Sequence, residues 1–257
     1  MAIRGVLQLA IVTALGLTAL CAGCAGGPGV SAPDYAALVA APDRSETDRL
    51  IDQRRKPDQL IAFTGARPGM KVLDMGAGGG YSTELLARAV APGGTVYAQN
   101  PPALFAALPR VRETYEKRAQ GAGMKNAVHV ERPSEDPLPP GVGGLDLITF
   151  FFFYHDTVHL GVDRPLMNRR LFEALKPGGL LVLADHSARA GDGTTVTKTL
   201  HRIEESVVRG ELEAAGFRLV AEAGFLRNPG DPRDAPVFKP KVPNDEFILK
   251  FRKPEGN

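Results

Sequence analysis

The chain has 257 residues, which is enough for one α/β domain with a substantial buried core. Its composition, 44% hydrophobic and 23% charged, is that of an ordinary globular protein and excludes a disordered chain, a collagen-like chain and a membrane protein with several spans. The formal net charge of +2 provides no strong basic field and tryptophan is absent, so we expect no nucleic-acid partner.

The first 24 residues have the pattern of an export signal. Arg4 precedes a nearly unbroken apolar run from Val6 to Leu20, shorter than a comfortable membrane span, and small residues follow it. The ending Ala-Gly-Cys resembles a bacterial lipobox, in which Cys24 is acylated after cleavage. The alternatives are cleavage after Ala25 with release, and an uncleaved N-terminal anchor. We therefore expect an exported protein, periplasmic or a lipoprotein of the cell envelope, whose membrane contact is a lipid anchor on Cys24.

The remaining sequence divides into a tether and one domain. Residues 25–43 are of low complexity and predict a flexible tether, and residues 44–257 predict the folded domain. Cys21 and Cys24 are the only cysteines, so this domain has no disulfide and no thiolate metal site.

Short apolar runs alternate with segments of helical spacing through the domain. The predicted strands are Lys71–Met75, Thr95–Gln99, Ala127–Glu131, Leu145–Phe153, Leu180–Ala184, Phe217–Phe225 and Glu246–Phe251. Helices are predicted to begin at Ser45 and Pro57 and to span Tyr81–Val90, Ala103–Ala119, Arg164–Leu175 and His201–Ala215. This alternation predicts an α/β fold with a doubly wound, mostly parallel seven-stranded sheet and an antiparallel closing strand. The segment Leu226–Asp245, rich in proline and charge, is long enough to be a functional flap.

A glycine-rich loop follows the first strand. The sequence Asp-Met-Gly-Ala-Gly-Gly-Gly, residues 74–80, lies between a buried strand and a helix, where glycines let a ligand approach the backbone and the helix N-terminus offers N–H groups. Tyr81 stands where a P-loop needs lysine and where a pyrophosphate-binding fingerprint needs its third glycine. An acid at the strand end followed by two glycines spaced by one matches the loop that binds S-adenosylmethionine. A tight turn without a ligand stays open as the alternative.

With these residues the chain resembles the class I S-adenosylmethionine-dependent methyltransferases. The shared motifs stand in the family's order: Val72–Gly80, Leu145–Ile148 followed by Tyr154–Asp156, Leu175–Gly179 and the closing strands of Gly224–Lys253. Residues 44–253 more narrowly resemble a group of exported, predicted methyltransferases through Asp185-His186, Leu200–Glu204 and Leu226–Pro229. The resemblance implies a Rossmann-like methyltransferase fold, S-adenosylmethionine as the cofactor and a small-molecule methyl acceptor.

The resemblance also implies cofactor contacts at particular residues. Asp74, Gly76 and Gly78 match positions that form the pocket for the methionine end of the cofactor. At the end of the second strand the family usually has an acid for the ribose hydroxyls. This chain has Gln99 and Asn100 there, whose neutral amides are weaker partners than a carboxylate.

The position of the family's adenine-contacting acid falls in the segment before Leu138-Pro139. Counting back from this pair reaches Ser134, with Glu135 beside it. Both residues are therefore candidate contacts of the adenine ring.

Histidine and carboxylate residues follow the fourth and fifth predicted strands. His155 and Asp156 come after the fourth strand, and Asp185 and His186 end the fifth. Because ligands bind at the carboxyl ends of the strands in doubly wound sheets, both pairs should open on one cleft. His201 and Glu204 lie one helical turn apart in the predicted helix and could face the same cleft.

Three interpretations of this cluster stay open. His186, His155 and Asp185 are the candidate catalytic residues, with a histidine as the general base and His186 favoured because a strand terminus fixes its direction. A His/carboxylate site for zinc or iron is the second interpretation, although we assign no residue as a metal ligand. In the third, these side chains only orient loops.

The sequence therefore predicts a cell-envelope methyltransferase that uses S-adenosylmethionine and acts on an unidentified small acceptor. Two alternatives belong to other classes of protein. One is a non-catalytic binding protein of the envelope with a methyltransferase fold, and the other is a metal-dependent hydrolase or lyase built on the His/Asp cluster.

The N-terminal segment gives a testable prediction. The mature protein isolated from its natural host should begin at Cys24 and carry lipid, which mass spectrometry of the intact protein would show. Cys24→Ser should release the protein or stall its processing without unfolding the domain. An intact Met1, or an unmodified start at Gly26, would contradict the lipoprotein assignment.

Overall fold

The computed structural model describes residue 1, residues 31–238 and residues 240–256. The predicted export signal and lipobox lie outside these residues, apart from Met1. Within the described ranges, no helix combines the length and apolar character needed to cross a bilayer.

In the described part of the chain, seven strands form one sheet in the order β3-β2-β1-β4-β5-β7-β6. The strands are β1 (Lys71–Met75), β2 (Thr95–Asn100), β3 (Ala127–Glu131), β4 (Leu145–Phe151), β5 (Leu175–His186), β6 (Arg218–Ala223) and β7 (Glu246–Arg252). Strand β7 is antiparallel to both of its neighbours, and the other neighbouring strands are parallel. The predicted doubly wound α/β sheet with an antiparallel closing strand is confirmed.

Ten α-helices connect or flank these strands in the described part. They are α1 (Tyr35–Val39), α2 (Glu46–Arg55), α3 (Pro57–Thr64), α4 (Tyr81–Val90), α5 (Pro102–Ala107), α6 (Pro109–Ala119), α7 (Tyr154–His159), α8 (Arg164–Ala174), α9 (Thr197–Leu200) and α10 (Glu205–Ala214).

The two predicted helix starts near the N-terminal end of the domain are present. The Ser45 side chain caps α2 by accepting a hydrogen bond from the Asp48 N–H, 3.1 Å away. Pro57 occupies the first turn of α3, and Gly65 ends that helix with a φ of 75°.

Two predicted helices differ from the structure. The helix predicted over residues 103–119 is two helices, α5 and α6, separated at Leu108, because Pro109 cannot donate the backbone hydrogen bond that would continue the first one. The helix predicted to start at His201 begins instead at Glu205, and His201 is the C-cap of α9 with a φ of 53°.

The predicted tether also needs correction, because part of it is packed. Helix α1 lies within residues 25–43, and the Tyr35 hydroxyl donates a hydrogen bond of 2.7 Å to the Ala66 carbonyl. Leu38 and Val39 pack on the apolar core. The packed domain therefore begins about ten residues before the predicted boundary at residue 44, which the low complexity of this segment did not indicate.

Apolar side chains alternate between the two faces of the sheet and form a large core on each face, with a third, smaller cluster around Phe105 and Tyr115. On one face, Leu73 of β1 belongs to a cluster with residues of α8 and α10. On the other face, its neighbour Val72 packs with residues of α3 and α4. Successive residues of a strand point to opposite faces, so the sheet is covered on both sides, as buried parallel strands require.

The segment between β6 and β7 has no helix or strand among its described residues, and a buried arginine holds it in place. Arg202 is 1% exposed and donates hydrogen bonds to the Asp231 carboxylate (2.8 Å) and the Asn244 side chain (3.1 Å). Its Nε also donates to the Ala235 carbonyl at 3.0 Å. The functional role predicted for this segment stays a prediction.

A second arginine joins three helices to the glycine loop. Arg118 of α6 forms two hydrogen bonds to Asp48 of α2, at 2.6 and 2.7 Å, and one to Glu84 of α4. Its Nε donates to the carbonyl of Gly79 at 2.9 Å. The side chain of Asp48 is 1% exposed, so its charge depends on this partner.

Removing this arginine should therefore be costly. Arg118→Met leaves the buried Asp48 carboxylate without its bidentate partner, and we expect the free energy of unfolding to fall by about 3–5 kcal/mol in urea denaturation. Arg112→Met is the matched control on the same helix, because the side chains of Arg112 and Glu131 are 38% and 32% exposed and such pairs contribute about 1 kcal/mol or less. Equal losses in the two variants would contradict this assignment.

Candidate active site

The glycine loop joins β1 to α4 at the carboxyl edge of the parallel strands. Gly76, Gly78 and Gly80 have φ values of 61°, 55° and 81°, a conformation that L side chains rarely adopt. Gly80 is also the N-cap of α4, and no side chain caps this helix end. The loop therefore leaves backbone N–H groups at the start of the helix for a ligand.

Asp74, a predicted cofactor contact, is used inside the protein. The register of β1 and β4 places it beside Thr149, whose hydroxyl donates to it at 2.7 Å. The hydroxyls of Ser82 (2.9 Å) and Thr83 (2.7 Å) donate to its other oxygen. Burial raises the pKa of Asp74, and the hydroxyl donors oppose that effect. The carboxylate thus fixes the start of α4 against β1 and β4.

Gln99 and Asn100 brace the glycine loop from β2. The Gln99 amide accepts from the Gly76 N–H at 3.1 Å and donates to the Arg132 carbonyl at 2.7 Å. The Asn100 amide accepts from the Gly78 N–H at 2.7 Å and donates to the Gly78 carbonyl at 3.2 Å. Both side chains are fully buried. They hold the two predicted cofactor-binding glycines in place, and their own contact with a cofactor stays a prediction.

A cavity of about 270 Å³ borders the glycine loop. Residues 76–79 of the loop, Ile51 and Arg55 of α2 and residues 151–153 at the end of β4 contribute to its lining. The volume is near the lower end of the range for small-molecule sites. The cavity lies where doubly wound sheets bind their ligands, outside the carboxyl ends of the strands.

Arg55 brings a positive charge to this cavity. Its guanidinium carbon lies 4.3 Å from the centre of the Phe152 ring and 5.6 Å from that of Tyr81. Burial lowers the pKa of Arg55 to about 10, so the side chain is still charged at neutral pH. Its Nε has no hydrogen-bond partner among the described residues.

These groups fit the methionine end of S-adenosylmethionine. The positive-φ glycines allow close approach of a ligand, the start of α4 offers N–H donors, and the Arg55 guanidinium can pair with a carboxylate.

The two predicted adenine contacts lie apart from the residues that line the cavity. Ser134 is 2% exposed, and its hydroxyl has no hydrogen-bond partner within the described ranges. The Glu135 carboxylate accepts a hydrogen bond of 3.1 Å from the Asp163 N–H. The free hydroxyl of Ser134 is compatible with a ligand contact, whereas Glu135 already has a structural partner.

Asp185 orients the ring of His155 and also accepts a hydrogen bond from the backbone N–H of His186. One of its oxygens accepts from the backbone N–H of His155 (2.9 Å), and the other contacts His155 Nδ1 (2.6 Å) and the His186 N–H (2.8 Å). Burial opposes a charge on His155, but Asp185 and Asp156 outweigh it and raise the pKa of His155 to about 10. In the protein as described, His155 is therefore protonated at neutral pH.

His186 has the opposite electrostatic environment. Burial lowers its pKa to about 3, so the imidazole is neutral at physiological pH. Its Nδ1 lies 3.0 Å from a Glu246 oxygen without the alignment of a hydrogen bond, and neither atom has another partner in the described part of the chain. Burial raises the pKa of Glu246 to about 7. The described lining of the cavity does not include His186 or His155, and the general-base interpretation stays a prediction.

Asp156 is the centre of a second group of histidines. Its Oδ1 lies 3.2 Å from His155 Nε2, 3.1 Å from His201 Nδ1 and 3.7 Å from His159 Nε2. His201 thus lies beside His155 and Asp156, although it comes from a helix C-cap, and its place in a ligand cleft stays a prediction. Glu204 does not join it, because its carboxylate accepts hydrogen bonds from the backbone N–H groups of residues 191 and 193.

Sequence reasoning missed three residues of this region. His159 lies on α7 with His155, and their spacing of four residues, which places two side chains on one helix face, was an available signal. Arg55 and Glu246 come from distant parts of the chain, and nothing in their local sequence indicated this position.

The chain is similar to known methyltransferases over about two thirds of its length. No family model matches it. The chain is 29% identical over 168 residues to a protein-L-isoaspartate O-methyltransferase of Aeropyrum pernix, a match that covers 65% of this chain and 57% of that protein. It is 28% identical over 168 residues to a ubiquinone/menaquinone biosynthesis C-methyltransferase of Vibrio vulnificus, covering 63% and 60%. The chain thus spans less than two thirds of the length of these relatives.

Solved structures resemble the fold over most of the chain. A SAM-dependent methyltransferase from Aquifex aeolicus has a TM-score of 0.58 and 19% identity, covering 86% of this chain and 98% of that one. A putative sarcosine dimethylglycine methyltransferase from Galdieria sulphuraria has a TM-score of 0.57 and 15% identity, covering 82% and 99%. This chain therefore has the class I S-adenosylmethionine-dependent methyltransferase fold, and the cofactor implied by that fold is S-adenosylmethionine.

The buried Glu246 predicts a pH-dependent stability. Its pKa rises from 4.5 to about 7 in the folded state, so folding binds a proton and the protein loses stability as the pH rises through this window. The unfolding free energy of Glu246→Gln minus that of wild type should therefore increase by about 2–3 kcal/mol as the pH rises from 4.5 to 8. Urea denaturation at the two pH values measures this change.

Glu173→Gln controls for the loss of one negative charge, because the Glu173 side chain is 60% exposed. The difference in unfolding free energy between Glu173→Gln and wild type should change little between pH 4.5 and pH 8. A stability difference between wild type and Glu246→Gln that does not change with pH would show that burial does not keep this carboxyl protonated.

Proposed function

We propose that this protein is an S-adenosylmethionine-dependent methyltransferase that methylates a small nucleophilic acceptor in the cell envelope. The observation that carries the proposal is the cavity of about 270 Å³ against a glycine loop with positive φ values. It lies at the edge of the sheet where this fold takes its ligand.

The chain's own residues would hold the cofactor and exclude water. When bound, S-adenosylmethionine supplies a methyl group on a positively charged sulfur. The backbone N–H groups at the start of α4 would bind its methionine end, and Arg55 would pair with its carboxylate. Phe152 and Phe153 line the cavity and would keep water from the reacting atoms. Catalysis of such a transfer rests mainly on aligning the two reactants.

The acceptor is proposed as a small molecule. The names of the relatives specify methyl transfer to oxygen or to carbon. One further relative is a catechol O-methyltransferase of Mycobacterium tuberculosis, which is 34% identical over 118 residues, a match that covers 51% of that protein. Where the acceptor must lose a proton, His186 stays the candidate base that the sequence predicted, and its ring lies 5.1 Å, between ring centres, from that of Phe152, a residue of the cavity lining.

The envelope location is proposed from residues 1–24 alone. It makes the non-catalytic binding protein a serious second candidate, because S-adenosylmethionine is scarce outside the cytoplasm. One observation favours that candidate: Asn100 replaces the usual ribose-binding acid and uses its amide on Gly78. Cofactor binding without turnover over a panel of phenolic, carboxylate and amine acceptors would support it over the enzyme.

The glycine loop gives the decisive binding test. Gly78 has a φ of 55°, which a branched residue such as valine rarely adopts, so Gly78→Val should distort the loop. We therefore expect at least a tenfold weaker affinity for S-adenosylmethionine in titration calorimetry. Gly141→Val is the matched control, because Gly141 has a φ of 79°, is surrounded by open space and is not part of the described lining of the cavity.

Gly141→Val should introduce the same kind of backbone strain and keep the wild-type affinity for S-adenosylmethionine. Equal affinity in wild type and Gly78→Val would mean that the loop is only a turn. Wild-type protein that neither retains S-adenosylmethionine or its demethylated product on purification nor binds it in the calorimeter would overturn the proposed function.

A further inference from the structure

Beside the candidate cofactor cavity, the structure brings together a compact set of metal-ligand side chains. His155 and Asp156 come from α7, and His201 comes from the C-cap of α9, 45 residues after Asp156. Among the described residues, this is the one group of three His, Cys, Asp or Glu side chains whose ligand atoms all lie within 4.8 Å of one another.

The spacing of the ligand atoms is that of a metal site. Tetrahedral bonds of about 2.0–2.1 Å to nitrogen and oxygen put neighbouring ligand atoms about 3.3 Å apart. Asp156 Oδ1 lies 3.2 Å from His155 Nε2 and 3.1 Å from His201 Nδ1. In the structure both imidazole nitrogens contact the same carboxylate oxygen directly, and these separations match the spacing of ligand atoms around a shared ion.

The ring of His155 is also held as in known metal sites. Its Nδ1 contacts the Asp185 carboxylate at 2.6 Å, which directs Nε2 toward Asp156. Metal-binding histidines commonly donate their second nitrogen to a carboxylate in this way, which fixes the tautomer and the orientation of the ring. Asp185 is itself fixed by the backbone N–H groups of His155 and His186.

The set is accessible to an ion from solvent. The side chain of His155 is 3% exposed, whereas those of Asp156 and His201 are 22% and 26% exposed. The three residues thus form a site with a rigid buried side and an open side, which leaves a coordination position for water or a substrate.

We propose that His155 Nε2, Asp156 Oδ1 and His201 Nδ1 bind a divalent transition-metal ion, with Asp185 as the residue that positions His155. A ligating imidazole must be neutral, so binding of the ion releases the Nε2 proton of His155 to solvent. Two imidazoles and one carboxylate are the ligand set of catalytic zinc sites and of non-haem iron sites. His159, whose Nε2 lies 3.7 Å from the same Asp156 oxygen, flanks the site just outside the compact set. This proposal does not depend on the proposed methyltransferase activity, because it concerns other side chains and another ligand.

The test uses the full chain after removal of metal with a chelator. We expect one equivalent of Zn²⁺ to bind per chain in titration calorimetry, and Co²⁺ to give the visible absorption of an ion with nitrogen and oxygen ligands. Asp156→Asn and His201→Asn should each weaken Zn²⁺ binding at least tenfold. Asparagine is chosen at position 201 because it tolerates the φ of 53° better than most residues.

His129→Asn is the matched control, because His129 lies on β3 and stacks with Tyr115 at 4.5 Å, away from this cluster. It should bind Zn²⁺ as wild type does. Metal-free variants must first show cooperative thermal unfolding. If a variant fails to fold, the histidine ring signals of wild type in NMR take its place, and Zn²⁺ should shift those of His155 and His201 but not that of His129.

No saturable Zn²⁺ or Co²⁺ binding by wild type would overturn the proposal. Unchanged affinity in both folded variants, or ring shifts confined to other histidines, would overturn it as well. Because S-adenosylmethionine binding is measured separately, each proposal can fail while the other stands.

Discussion

A carboxylate buried at the end of a parallel strand has to be satisfied by hydrogen bonds, and this constraint organises the functional edge of the protein. Asp74 at the end of β1 collects three hydroxyls, and in doing so it sets the start of α4 against β4. Asp185 at the end of β5 collects two backbone N–H groups and the Nδ1 of His155. Asp74 thus fixes α4, the helix after its own strand, and Asp185 fixes the start of α7, the helix after the neighbouring strand β4. The groups that face a ligand take their orientation from these two acids.

The same constraint explains why the fold was predictable and the site only partly so. Strand–helix alternation and the glycines at 76, 78 and 80 act locally, so the sheet, its closing strand and the loop follow from short stretches of sequence. Whether Asn100 faces a ribose or the loop depends on a hydrogen bond to Gly78 across two strands, which no local pattern encodes.

Positions set by loop geometry were equally hidden. His201 was predicted inside a helix with Glu204, but it ends α9 in a left-handed conformation and turns toward Asp156, while Glu204 turns toward residues 191 and 193. Helix α1 within the predicted tether depends on long-range contacts such as that of Tyr35 with Ala66, and a composition rich in small residues gives no sign of them.

The chemistry of the proposed metal site fits the predicted compartment. Both cysteines lie in the first 24 residues, so the folded domain offers imidazole and carboxylate groups and no thiolate. Exported proteins work in oxidising surroundings, where an exposed thiolate ligand would be open to oxidation. A site of two histidines and an aspartate keeps its ligands in such surroundings, so the two independent proposals for this region and for the N-terminal segment are chemically consistent.

Phe152 links the two proposed ligand sites physically. It has a φ of 57°, which is a strained conformation for a bulky residue and costs roughly 1–3 kcal/mol. The backbone supports it with a hydrogen bond of 2.7 Å from its N–H to the Ala184 carbonyl. One neighbour of its ring is Arg55, at 4.3 Å, and another is His186, at 5.1 Å between ring centres. His186 in turn lies 5.8 Å from the ring of His155. Because Phe152 also lines the cavity, the wall of the candidate cofactor site and the proposed metal site are connected through the neighbouring rings of Phe152, His186 and His155.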